Sequence, residues 1–312
     1  MIASTGGAIR ARRAVEALLD RCGETHARIE KVTRLEQGMF RAGYGVVVSG
    51  TTALPALLVA LVPRVDGSSE MVEACQREAA VLRSLTRCCQ GIGFPSFIGV
   101  EESEGLPILV TSFVAGLSFG PRGFRRDPSE YCESVARAAS IIHALPQNEF
   151  HEVLSGPATC RDFAQARLLT FSKHPDTDIA RAFSWCSERL PHNEPTVVLH
   201  GDLMGQNLMV DVDDLSRLSV IDWSDCCFGD PAFEIAVVTR GVRNPMKLVR
   251  GRERLVSRYN ELSGRVVSIE RVYLYEVTLV MGWLARYLEE DPSSGVVGEE
   301  RARLQSIMAG FR

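Results

Sequence analysis

Lysine is nearly missing from this 312-residue chain. It occurs only as Lys31, Lys173 and Lys247, so arginine carries almost all of the 35 basic charges. An excess of basic charge is missing as well: 39 acidic residues leave a formal net charge of −4, which offers no cationic surface for a phosphate backbone and argues against a nucleic-acid partner. No apolar run is long. The longest, Leu54–Val62, is about half of a bilayer span, and the opening MIASTGGAIRARR lacks the apolar core of a secretion signal. A cytoplasmic protein without membrane contact is the expectation. There is no C-x-x-C pair among the nine cysteines, and their odd number reads as reduced, mostly buried small hydrophobes. Cys226 and Cys227 are adjacent, and neighbouring thiols chelate one tetrahedral ion poorly, which argues against a metal or redox pair there.

With 46% hydrophobic residues the chain can bury a sizeable core as one large or two modest domains. Ala14, Leu18 and Leu19 suggest a helix within residues 1–29. Lys31–Leu35, Gly45–Val48 and Leu57–Val62 then read as three strands of an antiparallel meander, with Gly38, Gly43, Gly45 and Gly50 in the turns. Met71, Ala74, Cys75, Val81, Leu82 and Leu85 hold a 3.6 period over Glu70–Leu85. Two more strands, Phe97–Val100 and Ile108–Phe113, follow. Beyond Gly116 helices dominate, at Ser129–Ala144, Cys160–Phe171, Asp178–Leu190, Leu248–Leu262 and Ile269–Leu288, interrupted by the short β-like runs Val197–Leu199 and Leu218–Ile221.

Those two short runs deliver the residues with chemistry. The first leads into His200-Gly201-Asp202, with Asn207 five residues after Asp202; the second leads into Asp222. Two carboxylates and an amide oxygen at strand ends are oxygen donors suited to a hard cation such as Mg²⁺. Asp-x4-Asn followed fifteen residues later by Asp is the spacing that phosphoryl transfer uses in kinase-like folds. Upstream, Glu78 falls on the apolar side of its helix, where a buried carboxylate requires a partner.

The strings HGDLMGQN and IDW closely resemble those of the aminoglycoside phosphotransferase and choline-kinase-like superfamily. The likeness is strong over 197–236 and moderate over 70–117, and IDWSDCCFGD looks most like the hygromycin phosphotransferase subgroup. It implies an α+β, two-lobed protein-kinase-like fold. Residues 1–113 would form a β-rich N-terminal nucleotide-binding lobe with one key helix, and residues 114–312 a larger, mainly helical C-terminal lobe for catalysis and substrate. The implied reaction moves the γ-phosphoryl group of ATP, or GTP, with Mg²⁺, to a hydroxyl of a small molecule. An aminoglycoside or aminocyclitol antibiotic is the leading acceptor. A metabolic alcohol such as choline, homoserine or a sugar is the rival, and a non-catalytic nucleotide-binding pseudokinase is the reading from another class. A monomer or homodimer fits either enzyme.

Carried over residue by residue, the resemblance makes Asp202 the catalytic base, Asn207 and Asp222 the metal ligands, and His200 a support of the loop. Asp230, in Gly-Asp-Pro, becomes a brace behind that loop. The turn from Gly38 to Gly43 takes the place of the phosphate-covering loop, and backbone groups of Ser112 and Val114 take the place of the adenine-binding hinge. In the family, the helix-borne glutamate pairs with a basic residue on the third strand that contacts the phosphates. Here that strand, LPALLVALVPR, has Leu61 or Ala60 at the position. Three readings stay open: Arg64 beyond the strand fills the role, Arg41 substitutes, or nucleotide chemistry has been lost. An arginine fork can hold a carboxylate and a phosphate together. For a polycationic acceptor, Asp225 and Glu234 are the first candidates, with Glu276, Glu289, Glu290 and Asp291 behind them. Tyr273, Tyr275, Trp283 and Tyr287 read as packing.

Overall fold

The computed structural model describes residues 2–37, 41–63, 69–119, 128–211, 213–214, 216–239 and 250–310. It divides into two compact units, Met1–Gly116 with Ser219–Asp225, and Leu117–Leu218 with Cys226–Arg312.

The first unit opens with helix α1 (Ile2–Arg21), followed by strands β1 (Arg28–Gln37), β2 (Arg41–Ser49) and β3 (Leu57–Pro63), helix α2 (Ser69–Cys88), and strands β4 (Phe97–Ser103) and β5 (Leu106–Ser112). The strands form one antiparallel sheet in the order β1-β2-β3-β5-β4. Alternation along the strands decides its faces. Ala42, Tyr44, Val46 and Val48 of β2, Leu58, Ala60 and Val62 of β3, and Ile108 and Val110 of β5 pack against Ala11, Ala14, Val15, Leu18 and Leu19 of α1. Burying each larger aliphatic side chain of this layer contributes about 1.5–3 kcal/mol. A methyl group at Gly7 would overlap Tyr44 Oη, so glycine there lets α1 lie on the sheet.

Strand β2 begins at Arg41, four residues before the sequence expectation. Gly43 and Gly45 read as turn punctuation, yet both lie within the strand on the face opposite the α1 layer, where Leu35 leans over them. On α2, Cys75, Glu78, Ala79, Val81, Leu82 and Leu85 are buried.

The segment Ser219–Asp225 belongs to this unit for visible reasons. Val220 N–H donates to Gly93 O at 2.8 Å, and Ser219 bridges Gly93 in parallel register. Trp223 is fully buried; its indole N–H donates to Val220 O and its backbone N–H to Glu78 Oε1.

The second unit contains β6 (Leu117–Ser118), α3 (Pro128–Ile142), α4 (Cys160–Leu169), α5 (Thr177–Ser187), β7 (Val197–Leu199) and β8 (Leu208–Val210). After β9 (Leu218–Val220), which crosses the division, come β10 (Cys227–Gly229), α6 (Pro231–Thr239), α7 (Gly251–Ser263), α8 (Ile269–Glu290) and α9 (Gly295–Ala309). Side-chain caps start several helices: Thr159, Asp176, Ser268 and Ser294 each accept an N–H of the first turn. Helix α8 is the hub, packed by α4, α5, α6, α7 and α9. Every residue of α6 is buried. Phe163, Phe233 and Tyr275 meet at 5.4–5.9 Å between ring centroids, with Arg167 stacked on Phe233.

The antiparallel pair β7–β10 matches Leu199 to Cys227 and Val197 to Gly229; β7 leads into the Asp202 loop and β10 into Asp230 before α6, whereas β9 leads into Asp222. All nine cysteines are free; five are buried and only Cys22 is exposed. No described helix is long and apolar enough to cross a membrane.

Candidate active site

In the first unit the structure brings together Arg41, Glu78 and Asp222. Arg41 heads β2 opposite Pro63 of β3, and Gly43 stands opposite Leu61. Residues opposite each other in an antiparallel pair share a face, so Arg41 and Leu61 lie on the same side of the sheet. The adjacent strand therefore supplies the charge that β3 lacks. One guanidinium nitrogen of Arg41 donates to Glu78 Oε2 at 2.5 Å and the other to Asp222 Oδ1 at 2.9 Å.

The three side chains differ in exposure: Glu78 is 2% exposed, Arg41 11% and Asp222 47%. Burial pushes the Glu78 carboxyl above its ordinary range, and the Arg41 charge opposes the push. Burial likewise raises the neighbouring Cys75 thiol to about 11 and leaves it inert. Arg64 and Gly38 lie outside the described residues, so Arg41 is the partner of Glu78 that the structure shows.

Asp222 sits at φ 63°, a left-handed backbone that a side chain adopts at some cost. Its Oδ1 accepts from Arg41 and from Ser224 Oγ, while its Oδ2 has no partner among the described residues. Ser112 N–H donates to Ser96 O, which commits one of the two expected hinge amides. Val114 has no hydrogen-bond partner among the described residues. Asp225 is exposed, without an ion pair among the described residues.

The second unit holds Asp202 and Asn207. Strand β7 ends at Leu199; His200 is fully buried and Gly201 turns the chain at φ 85°, a conformation that suits glycine. Asn207, in a short 3-10 turn, donates its amide to Asp202 O at 2.8 Å and to Asp202 Oδ2 at 2.9 Å. Asn207 Oδ1 has no partner among the described residues. His200 Nδ1 accepts the Asp202 N–H.

Glu234 corrects a sequence expectation. Proposed to face an acceptor, it is instead fully buried on α6, and its carboxylate accepts the N–H of His200 at 2.6 Å and of Gly201 at 3.1 Å. It is a brace of the loop that carries Asp202. Burial acts to raise its carboxyl, but His143, 3.7 Å away, and the His200 N–H outweigh burial and hold it below the ordinary value. His143 Nδ1 in turn bonds Tyr259 Oη at 2.7 Å.

Asp230 is also fully buried. Its Oδ1 accepts the Ala232 N–H at the start of α6, and its Oδ2 accepts from Arg271 Nε at 2.6 Å and Tyr275 Oη at 2.8 Å. Burial raises its carboxyl against the pull of Arg271. Glu276 is buried on Arg252 and Thr239 rather than offered to a ligand. Glu290 pairs with Arg286, and Asp291 caps Ser293.

Sequence reasoning missed His143, Tyr259 and Arg271. Arg271 and Tyr275 could have been found, since their i,i+4 spacing puts them on one face of α8. His143 and Tyr259 carry no local signal, because 116 residues separate them.

Each unit offers a hard oxygen donor of the kind Mg²⁺ takes, Asp222 Oδ2 in the first and Asn207 Oδ1 in the second, each without a partner among the described residues. No group of three or more His, Cys, Asp or Glu among the described residues could hold a metal ion.

A model of the phosphotransferase enzyme family matches residues 50–264. Over 181 residues the chain is 23% identical to the acyl-CoA dehydrogenase family member 10 of Mus musculus, covering 52% of this chain and 16% of that protein. The chain thus spans about one sixth of that relative's length. Among solved structures, the aminoglycoside phosphotransferase APH(4)-Ia is 19% identical at a TM-score of 0.68, covering 96% of this chain and 98% of that one. A thermostable mutant of the same enzyme, in a ternary complex with ADP and hygromycin B, is 18% identical at a TM-score of 0.67 over 94% and 97% of the two chains. The GDP complex of an aminoglycoside 2'-phosphotransferase-IIIa is 16% identical at a TM-score of 0.68 over 97% and 99%. Likeness at these identities is likeness of fold: the chain has the kinase-like fold of these enzymes, with an antiparallel N-terminal sheet and a helical C-terminal region.

Proposed function

The chain belongs to the phosphotransferase enzyme family, and we propose that it transfers the γ-phosphoryl group of ATP, or GTP, to a hydroxyl of a small molecule. One observation carries this reading: the Arg41 fork is held by a buried and an exposed carboxylate, and the exposed one keeps an oxygen open for a metal. Arg41 would contact the nucleotide phosphates, with Glu78 fixing its position. Asp222 and Asn207 would hold Mg²⁺, which when bound neutralises charge on the transferring group. Asp202, oriented by the Asn207 amide, would accept the proton of the attacking hydroxyl. The His200–Glu234 bonds keep that carboxylate's loop in place, and Gly38, Arg64, Ser112 and Val114 remain the further proposed nucleotide contacts.

An aminoglycoside or aminocyclitol is the first acceptor to test, with Asp225 as its exposed carboxylate. A second reading, a neutral or singly charged metabolic alcohol, is favoured by a specific observation: Glu234 and Glu276 are buried and occupied, so they are not available to a polycation. The defining experiment titrates ATP, and separately GTP, by calorimetry with and without Mg²⁺, using wild type and Asp222→Ala. Magnesium-dependent binding that the substitution removes supports the assignment. Absence of binding for both nucleotides at millimolar concentration refutes it. Turnover of hygromycin-like aminocyclitols against choline, homoserine and sugars then separates the two acceptor classes.

A further inference from the structure

Arg41 is shared by two carboxylates of unequal freedom. Glu78 is buried and cannot leave; its second oxygen is occupied by the Trp223 N–H at 3.1 Å. Asp222 is half-exposed, and its Oδ1 is saturated by Arg41 and Ser224, so only Oδ2 faces an incoming ion. We propose that Arg41 is a built-in counter-ion of Asp222 that suppresses capture of a free divalent cation and makes metal binding conditional on the phosphates of the nucleotide. This rests on the assignment of Asp222 as a metal ligand made above.

Three features support the coupling. Arg41 is not free to swing away, because departure would strand the buried Glu78 charge. A cation arriving at Oδ2 therefore meets a fixed positive charge on the other oxygen of the same carboxylate, at a separation where like charges repel appreciably even near a surface. Nothing else compensates: among the described residues no group of three or more His, Cys, Asp or Glu could hold a metal ion, and burial keeps the neighbouring Cys75 thiol protonated. Together Arg41, Glu78 and Asp222 carry a net charge of about −1 at neutral pH, a weak attractor for a divalent ion by itself. A polyphosphate changes the balance by bringing negative charge that Arg41 and the cation can both engage. Reciprocity then requires the metal to raise nucleotide affinity by the same factor as nucleotide raises metal affinity.

The test measures Mn²⁺ binding to the full chain without nucleotide, from the electron paramagnetic resonance signal of the free ion, and repeats it with ADP present. In Arg41→Met, Mn²⁺ binding without nucleotide should tighten by about tenfold, the scale of removing one nearby like charge, and the coupling between Mn²⁺ and ADP should fall by a similar factor. Arg41→Lys, which keeps the charge, should stay near wild type. Should Arg41→Met fold poorly because Glu78 is left unpaired, Arg41→Met/Glu78→Gln removes both buried charges; the cluster then keeps its net charge of about −1 but lacks the cation bonded to Asp222, so binding should tighten in the same direction by a smaller factor. Unchanged or weaker Mn²⁺ binding in the folded variants overturns the counter-ion role and leaves the proposed reaction standing. If Asp222→Ala binds Mn²⁺ with ADP as tightly as wild type, the metal assignment itself falls, and this inference with it.

Discussion

The two units put the same residue types to opposite uses. In the second unit Asp230 and Glu234 are completely buried, and each carboxylate accepts from backbone N–H groups, joined at Asp230 by Arg271 and Tyr275. In the first, Asp222 is half-exposed, sits on a left-handed backbone and retains an open oxygen. A carboxylate whose lone pairs are all committed fixes a loop. One held rigidly with a lone pair to spare can take a ligand. Burial and a complete set of hydrogen-bond partners, rather than position in the sequence, separate brace from ligand here.

The largest test of that contrast is Asp202→Asn. If Asp202 acts on the reacting hydroxyl, turnover falls by roughly 10²–10⁴-fold, the usual worth of a general base, while the thermal midpoint and nucleotide affinity stay close to wild type. Retained turnover in a steady-state assay would remove Asp202 from the chemistry.

Asp230→Ala should act on the opposite quantity. Removing one partner of a buried pair leaves Arg271 uncompensated, for a loss of about 3–5 kcal/mol in urea denaturation. Any loss of activity should follow the loss of folded protein. A variant as stable as wild type would show that Arg271 finds full compensation in Glu194.

Glu234→Gln is the intermediate case, because the brace is buried but the loop it holds carries Asp202. At neutral pH the substitution should cost about 1–3 kcal/mol, the range for leaving buried donors poorly satisfied. The pH dependence has a definite sign. The folded carboxyl lies below its ordinary value of 4.5, so its contribution is full above about pH 4.5 and disappears as pH falls through the lower folded value. Denaturation curves from pH 7 down to pH 3 should therefore show the gap between wild type and Glu234→Gln closing at the acid end. A constant gap would mean that ionisation of Glu234 adds nothing.

Much of this organisation was legible in the sequence, for reasons that can be named. Ala14, Leu18 and Leu19 mark α1, and Cys75, Val81, Leu82 and Leu85 mark α2, because each helix buries one stripe. Helix α6 was missed because it is buried on every side, so PAFEIAVVT has no period to read. Gly295 and Gly298 hid the start of α9 in the same way that Gly43 and Gly45 hid the start of β2, since glycine reads as a break even where a backbone needs room. At the site, the spacing of Asp202, Asn207 and Asp222 was readable, but the fate of Glu234 was not. A glutamate on an all-apolar segment could face a ligand or a bare backbone N–H, and only tertiary structure distinguishes them. The Arg41–Glu78 pair was likewise one of several open choices, because a cross-strand neighbour is invisible until the register of β2 on β3 is known.

The smallest effect tests Asp222 itself. Asp222→Ala and Asp222→Gly delete the same carboxylate, so both should lose magnesium-dependent nucleotide binding equally. They differ in what the backbone asks of them. At φ 63° alanine places its Cβ against the following carbonyl at a cost of roughly 1–2 kcal/mol, whereas glycine adopts this region freely. Glycine's greater freedom in the unfolded chain takes back about 0.4–1 kcal/mol. The glycine variant should therefore be more stable than the alanine variant by about 0.5–1 kcal/mol in chemical denaturation. No comparable advantage is expected at Asp230 or Glu234, which do not have positive φ. Equal stabilities for the two Asp222 variants would show that the local backbone relaxes once the side chain is gone, and that Arg41 and Ser224, by holding the carboxylate, are what keep residue 222 in the left-handed region.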